Sequence, residues 1–425
     1  MSEPASRTAL LAWAGYDWAN SAFFTVIITF VFAAYFTSGI APDDVTGTAL
    51  WGWTMTLSAL LVAVASPILG AIADADGRRK PWLLVLTALG VIGSALLWYA
   101  EPAPTFVVYT LVVVGLANVA MEMSGVFYNA MLGDLVPEQR LGRLSGWAWA
   151  LGYAGGLACL IAALVLFVQT DTPLFGLDKQ AAEHVRITGP LVAVWLAVFA
   201  LPMFLFTPDR PSSGLSYREA VRHGLGQLKA TLTDLRRFRT VGRFLLARMI
   251  YIDGLNTLFA FGGIYAAGTF GMGLAEVIQF GIVLNVTSGL GAFAFAWLDD
   301  WIGAKRTILI ALVGLTVFGL VAVLAEDVTT FWIAACSLGI FIGPTQAASR
   351  SFMTRVAPPE MRTEMFGLYA LSGKITAFVG PFVLGTVTLW ADSQRAGMAT
   401  ILVFFLVGMA LLWGVREPGR ARSDM

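Results

Sequence analysis

Apolar runs of about 20 residues recur along this 425-residue chain, each long enough to cross a hydrocarbon core of about 30 Å as a helix. They fall at roughly 11–37, 49–72, 82–100, 105–131, 145–169 and 189–206, and then at 242–268, 275–298, 307–325, 329–349, 365–390 and 397–415. A β-barrel would instead show ten-residue segments of alternating polarity, which are absent. With 58% hydrophobic residues, 13% charged residues and a mean hydropathy of +0.76, a soluble globule would have too little polar surface. The expected class is an all-α polytopic membrane protein of twelve transmembrane helices, six plus six.

The net charge is zero, so the position of the charges carries the information. With the N-terminus placed inside, the inner segments hold 22 of the 27 Lys and Arg residues, Arg350 and Arg355 among them. That bias predicts both termini in the cytoplasm. The expected units are 1–206, a linker at 207–240, and 241–425. In the linker Val221, Leu225, Leu228, Leu232 and Leu235 recur at helical spacing among Arg218, Arg222, Lys229, Arg236, Arg237 and Arg239. This pattern predicts a basic amphipathic helix on the inner membrane surface, with anionic lipid as its partner and no nucleic acid.

Both halves carry the same marks. Tyr16-Asp17-Trp18-Ala19-Asn20 in the first run is echoed by Tyr251-Ile252-Asp253-Gly254-Leu255-Asn256 in the seventh, and each Asp-x-x-Asn pair shares one helix face. Asp74, Gly77 and Arg79 after the second run match Asp300, Gly303 and Lys305 after the eighth. Pro137, Glu138 and Arg140 match Pro359, Glu360 and Arg362. Three matched features in order, one within the runs and two in the connections, predict a duplicated six-helix unit.

The loop Gly70, Asp74, Gly77, Arg78, Arg79 resembles the signature loop of the major facilitator superfamily. The stretches YDWANSAF, ARMIYIDGLNT, SRSFMTRVAPPE, FGLYALSGK and VGP resemble the branch of the autophagy-related vacuolar amino-acid exporters and their bacterial relatives. The resemblance implies two pseudo-symmetric six-helix bundles that rock about a central site, in a bacterial inner membrane. It also implies a latch at the signature loop, where Asp74 can accept from helix N-termini and Arg78 and Arg79 can pair with carboxylates. In the second copy Ala304 replaces the first basic residue, which weakens the expectation of a latch there.

Ionisable groups inside a membrane cost about 2.5 to 3.5 kcal/mol each, so each needs a partner or a wet cavity. Asp17, Glu122, Arg248, Asp253 and Lys374 lie within runs. Asn118, Glu122, Gly125 and Asn129 form a stripe on the fourth run, and Gly339, Gly343, Gln346 and Arg350 occupy the same intervals on the tenth. The resemblance assigns the cavity to the first, fourth, seventh and tenth spans, which makes Asp17, Asn20, Asn118, Glu122, Asn129, Asp253, Asn256, Gln346 and Lys374 the candidate substrate or coupling residues. Lys374 with Glu122 and Asp253 would grip a zwitterion; the alternative is a plain ion pair between Lys374 and Asp253. Asp17, Glu122 and Asp253 are the candidates for carrying a coupled proton. Tyr16, Trp18, Tyr128, Tyr251 and Tyr369 are candidate aromatic walls, and Gly339 with Gly343 equally suits close helix packing.

No phosphate-binding loop, metal-spaced Cys/His cluster or Ser/His/Asp set is present in the sequence, so no enzyme, cofactor or metal is expected. Cys159 and Cys336 read as small apolar residues. The expectation is a monomeric carrier of a small polar organic solute, an amino acid or related zwitterion, working by alternating access with protons as a candidate drive. The alternatives are a multidrug or lipophile exporter, and a non-transporting membrane receptor.

Overall fold

The computed structural model describes residues 5–233 and 238–417. Twelve helices are long and apolar enough to cross a membrane: Arg7–Ile40, Asp44–Asp76, Lys80–Tyr99, Pro104–Leu135, Glu138–Val168 and Glu183–Phe206, then Arg239–Phe270, Glu276–Ile302, Ala304–Leu324, Val328–Val356, Pro359–Ala391 and Gln394–Trp413. They are numbered here as spans 1 to 12. Their starts are written locally: Ser6, Asp43, Asp327 and Ser393 each accept from a backbone N–H three residues on. Gly77 and Gly303 end spans 2 and 8 at φ of 92° and 99°, in a backbone region closed to side-chain-bearing residues.

Two six-helix bundles meet along two helix pairs, span 2 against span 11 and span 5 against span 8. The first contact is close because Gly70 and Gly367 lie in it; a Cβ on Gly70 would stand 2.5 Å from the Thr363 carbonyl oxygen. The second is lined by Gly142 and Gly146 against Asp299 and Ala296.

Several spans run past the apolar stretch that marks them in the sequence. Span 2 continues to Asp76, span 4 to Leu135 and span 10 to Val356. Their final turns carry polar residues that are buried or half-buried against neighbouring helices, which a hydropathy reading sees as loop. Arg350 and Arg355, expected as loop anchors, are therefore buried inside span 10.

The linker forms a helix at Tyr217–Thr233 that packs on span 2. Its inward face differs from the expected one: Ala220, Gly224, Leu228 and Thr231 are buried, whereas Leu225 is exposed. Gly224 decides this, because its missing side chain lets the helix backbone rest on Ala71 and Ile72. Arg218, Arg222 and Lys229 point outward. The side chain of Leu232, and residues Leu235, Arg236, Arg237, Arg420 and Arg422, lie outside the described residues.

Candidate functional site

The bundles enclose a cavity of about 730 Å³. Near its middle, Lys374 Nζ of span 11 donates to Glu122 Oε1 of span 4 at 2.6 Å, joining the two bundles across the open space. Both side chains keep about a quarter of their surface exposed, at 28% and 27%. Asn20, Asn129, Asn256 and Gln346 stand on the same wall system, with Tyr128 and Tyr369. Away from the termini the walls turn apolar, through Phe24, Phe30, Phe280, Phe331 and Phe405.

The floor is a buried ion pair. Arg350 Nη1 donates to Asp17 Oδ2 at 2.9 Å and to Asn129 Oδ1 at 3.2 Å, while its other nitrogens bind Ser145 Oγ and the Ser145 carbonyl. Trp13, Tyr128 and Trp149 lie 5.3 to 5.6 Å from the guanidinium carbon. One residue thus ties span 10 to spans 1, 4 and 5, with its charge shielded by ring faces.

Beneath the floor, the face that carries the chain ends is closed. Asp74 accepts from Thr363 Oγ1 at 2.6 Å, from the Glu364 N–H at 2.8 Å and from Arg79 at 3.3 Å, so it caps the start of span 11 in the opposite bundle. Arg79 is buried and also reaches Asp134 and the Ala130 carbonyl. Arg210 and Arg362 share Asp134. Arg78 takes no part; it is exposed and meets only Asp76 of its own loop.

The second copy also joins the bundles. Asp300 accepts from the Gly142 N–H at 2.8 Å and from Arg143 Nε at 2.6 Å, capping span 5 of the first bundle. Arg143 and Arg355 bring it positive charge. Lys305 turns to the Trp413 carbonyl, and Glu417 accepts from the N–H groups of Ala304 and Lys305. Burial pushes the Glu417 carboxyl up, against the pull of nearby Arg355.

Not every expected residue reaches the cavity. Asn118 and Asp253 are buried off its walls, as are Tyr16 and Tyr251, and the half-buried Trp18 is off them too. Lys374 pairs with Glu122 and not with Asp253. Gly339 and Gly343 pack against Thr287 and Ser288 of span 8. Arg248 does line the cavity, donating to the Tyr369 carbonyl at 2.7 Å and Ser372 Oγ at 2.9 Å. The sequence reading missed Arg143, Asp134, Asp299 and Thr363 as interbundle contacts; the one signal for them was polar residues crowded at span ends.

Interbundle contacts thus close the face at the termini, and the cavity lies on the other side of them. Comparisons with known proteins identify the fold and the family. A family model described as "Vacuole effluxer Atg22 like" matches residues 39–424. The MFS-type transporter YxiO of Bacillus subtilis (strain 168) is 26% identical over 412 residues, covering 96% of this chain and 94% of that one. Autophagy-related protein 22 of Coccidioides immitis (strain RS) is 21% identical over 455 residues, covering 88% and 73%. Among solved structures, the major facilitator transporter FucP in its outward conformation superposes with a TM-score of 0.76 at 16% identity, covering 97% of this chain and 99% of that one. The proton:xylose symporter XylE gives 0.72 at 12%, covering 96% and 94%.

Proposed function

The chain belongs to the vacuole effluxer Atg22-like family, within the major facilitator superfamily, and from that premise we propose that it carries a small zwitterion, an amino acid or close relative, by alternating access. The observation that carries this reading is the Lys374–Glu122 pair, which spans the cavity at 2.6 Å with both ends open to it. A zwitterion offers a carboxylate to Lys374 and an ammonium to Glu122, replacing one pair by two. Asn20, Asn129, Asn256 and Gln346 supply the neutral hydrogen-bonding groups that orient such a cargo.

The contacts support alternating access. Opening the terminal face requires release of Arg350 from Asp17 and of Asp74 and Asp300 from the helix starts they cap. A proton taken up by Glu122 would free Lys374 for an anionic cargo group, which makes a proton gradient the first drive to test. The Lys and Arg bias supports cytoplasmic termini in a bacterial inner membrane. The outward Arg218, Arg222 and Lys229 of the linker helix suit anionic lipid.

The test is counterflow in proteoliposomes preloaded with pooled amino acids, with labelled counterparts outside. Labelled solute accumulates with one pool, and Glu122→Gln and Lys374→Gln each lower that exchange by about tenfold or more, the loss of one charged contact. The Phe-lined outer wall favours a second reading, export of lipophiles. Exchange of a lipophilic cation without any amino-acid counterflow would select it.

A further inference from the structure

We infer a binding site for a small monovalent cation of the sodium class at a break in span 11, behind the cargo cavity and distinct from its charged pair.

The break has a local cause. Span 11 is helical over Arg362–Lys374 and again over Val379–Ala391, with turns at 375–378 between. Pro381 has no N–H and its ring crowds the carbonyl four residues back, so the Ala377 carbonyl loses its helical donor. The Val379 N–H closes on the Thr376 carbonyl at 2.8 Å instead, and the Gly380 N–H leaves the helix to donate to Asp253 Oδ2 of span 7 at 3.0 Å.

The groups that gather there are oxygens. Asp253 is 3% exposed, and its Oδ1 has no hydrogen-bond partner. The buried Thr376 hydroxyl, within the break, also has none. Thr257 Oγ1 spends its hydrogen on the Asp253 carbonyl at 2.8 Å and keeps its lone pairs. A Cβ on Gly380 would strike Thr257 Oγ1 and lie 3.2 Å from both Asp253 Oδ1 and the Asp253 carbonyl oxygen, so these oxygens converge beside the start of the second half-helix. The Ala377 carbonyl belongs to the same break.

Among the described residues, no cation answers the Asp253 charge. On its own helix Arg248 is held by Tyr369 and Ser372. On span 11 Lys374 goes to Glu122 and Arg362 to Asp134; on span 10 Arg350 goes to Asp17 and Arg355 to Asp299; on span 12 Arg395 goes to the Val323 carbonyl. Tyr251 faces Ser349, Glu364 faces Gln227, and Glu276 caps Gly273. A buried carboxylate with no counter-ion is costly in a membrane. A carboxylate, hydroxyls and a freed carbonyl form a hard, all-oxygen donor set, and unwound helix segments hold monovalent cations in this way. One carboxylate neutralises one positive charge, which selects a monovalent ion over a divalent one. Lys374 ends the half-helix just before the break, so a bound ion would also fix how Lys374 meets Glu122.

The test needs no cargo. The full-length protein in detergent is melted by tryptophan fluorescence in NaCl and in choline chloride at equal ionic strength and fixed pH. Sodium raises the melting temperature saturably by several degrees; Asp253→Asn, which keeps an acceptor for Gly380, abolishes the rise, and Thr376→Val weakens the apparent affinity by about tenfold, one ligand's worth. No sodium effect on wild-type protein, or an effect that survives in Asp253→Asn, overturns the site. A rise produced by acid and not by sodium overturns it in favour of a protonated Asp253. Because melting is read without transport, a sodium effect with no amino-acid counterflow would sink the amino-acid reading and leave this site standing.

Discussion

Asp17 and Asp253 occupy the same place in two copies of one motif, yet they have different neighbours. The tyrosines that precede them behave alike: Tyr16 and Tyr251 are both buried and bonded to hydroxyls. The asparagines also agree, for Asn20 and Asn256 both line the cavity. The acids diverge because span 10 supplies Arg350 to Asp17, whereas the corresponding position on span 4 is Asn129, an amide that itself goes to Arg350. Duplication preserved the helix face and left the charge balance to differ. Asp17 is half of an interbundle ion pair; Asp253, among the described residues, is an acid without a cation.

Substitution separates the two acids most sharply. Arg350→Gln strands Asp17 in a buried site and is expected to cost about 3 to 5 kcal/mol of stability, the range for breaking a buried pair by removing one partner. Adding Asp17→Asn should recover much of that loss. Asp253→Asn in sodium-free buffer strands no cation and should shift the unfolding midpoint severalfold less. Unfolding midpoints in detergent measure all three; equal losses for Arg350→Gln and Asp253→Asn would erase the distinction.

The two signature-loop acids make the gentler comparison. Asp74 and Asp300 each cap a span of the opposite bundle, but the Asp74 side chain is fully buried with three donors, while Asp300 keeps 9% exposure. A charged hydrogen bond contributes about 1.5 to 3 kcal/mol, so Asp74→Asn should move the population toward an open terminal face by about tenfold or more. Asp300→Asn should move it less. Spin labels at Arg78→Cys and Glu360→Cys, in a background lacking Cys159 and Cys336, would report the change as a longer interlabel distance. A larger shift from Asp300→Asn would reverse the ranking.

The twelve spans and their division were legible because hydropathy and Lys/Arg placement act over whole helices. The Asp74 cap was legible too, since an acid at a helix end has few other uses. The partner of Lys374 was not: Glu122 and Asp253 are both acids on apolar helices, and choosing between them requires knowing that Pro381 turns span 11 at Gly380 and draws Asp253 to a backbone N–H. Arg350 was counted both on the tenth-run stripe and among the loop charges for a related reason. Its surroundings, Ser349, Ser351 and Thr354, look like loop by hydropathy, although all three are buried.

The smallest expected effect lies on the face opposite the termini, where spans 2 and 10 of the two bundles start with the same kind of cap. Asp43 accepts from the Thr46 N–H at 2.9 Å and Thr46 Oγ1 at 2.7 Å; Asp327 accepts from Thr330 at 2.9 and 2.6 Å. Both carboxyls are held below their usual range by these bonds, chiefly from Thr46 and Thr330. A depressed acid contributes stability above its unfolded value and loses that contribution as pH falls through the folded one. Asp43→Ala and Asp327→Ala should therefore each lower the melting temperature slightly and equally at neutral pH, and neither should matter once the medium is acid enough to protonate the native carboxyls. Both caps are exposed, so solvent screens them and the loss stays below that of any buried pair. Unequal losses would mean that the two bundles weight identical hydrogen bonds differently, and the contrast between Asp17 and Asp253 would then reflect the bundles as a whole rather than the presence of Arg350.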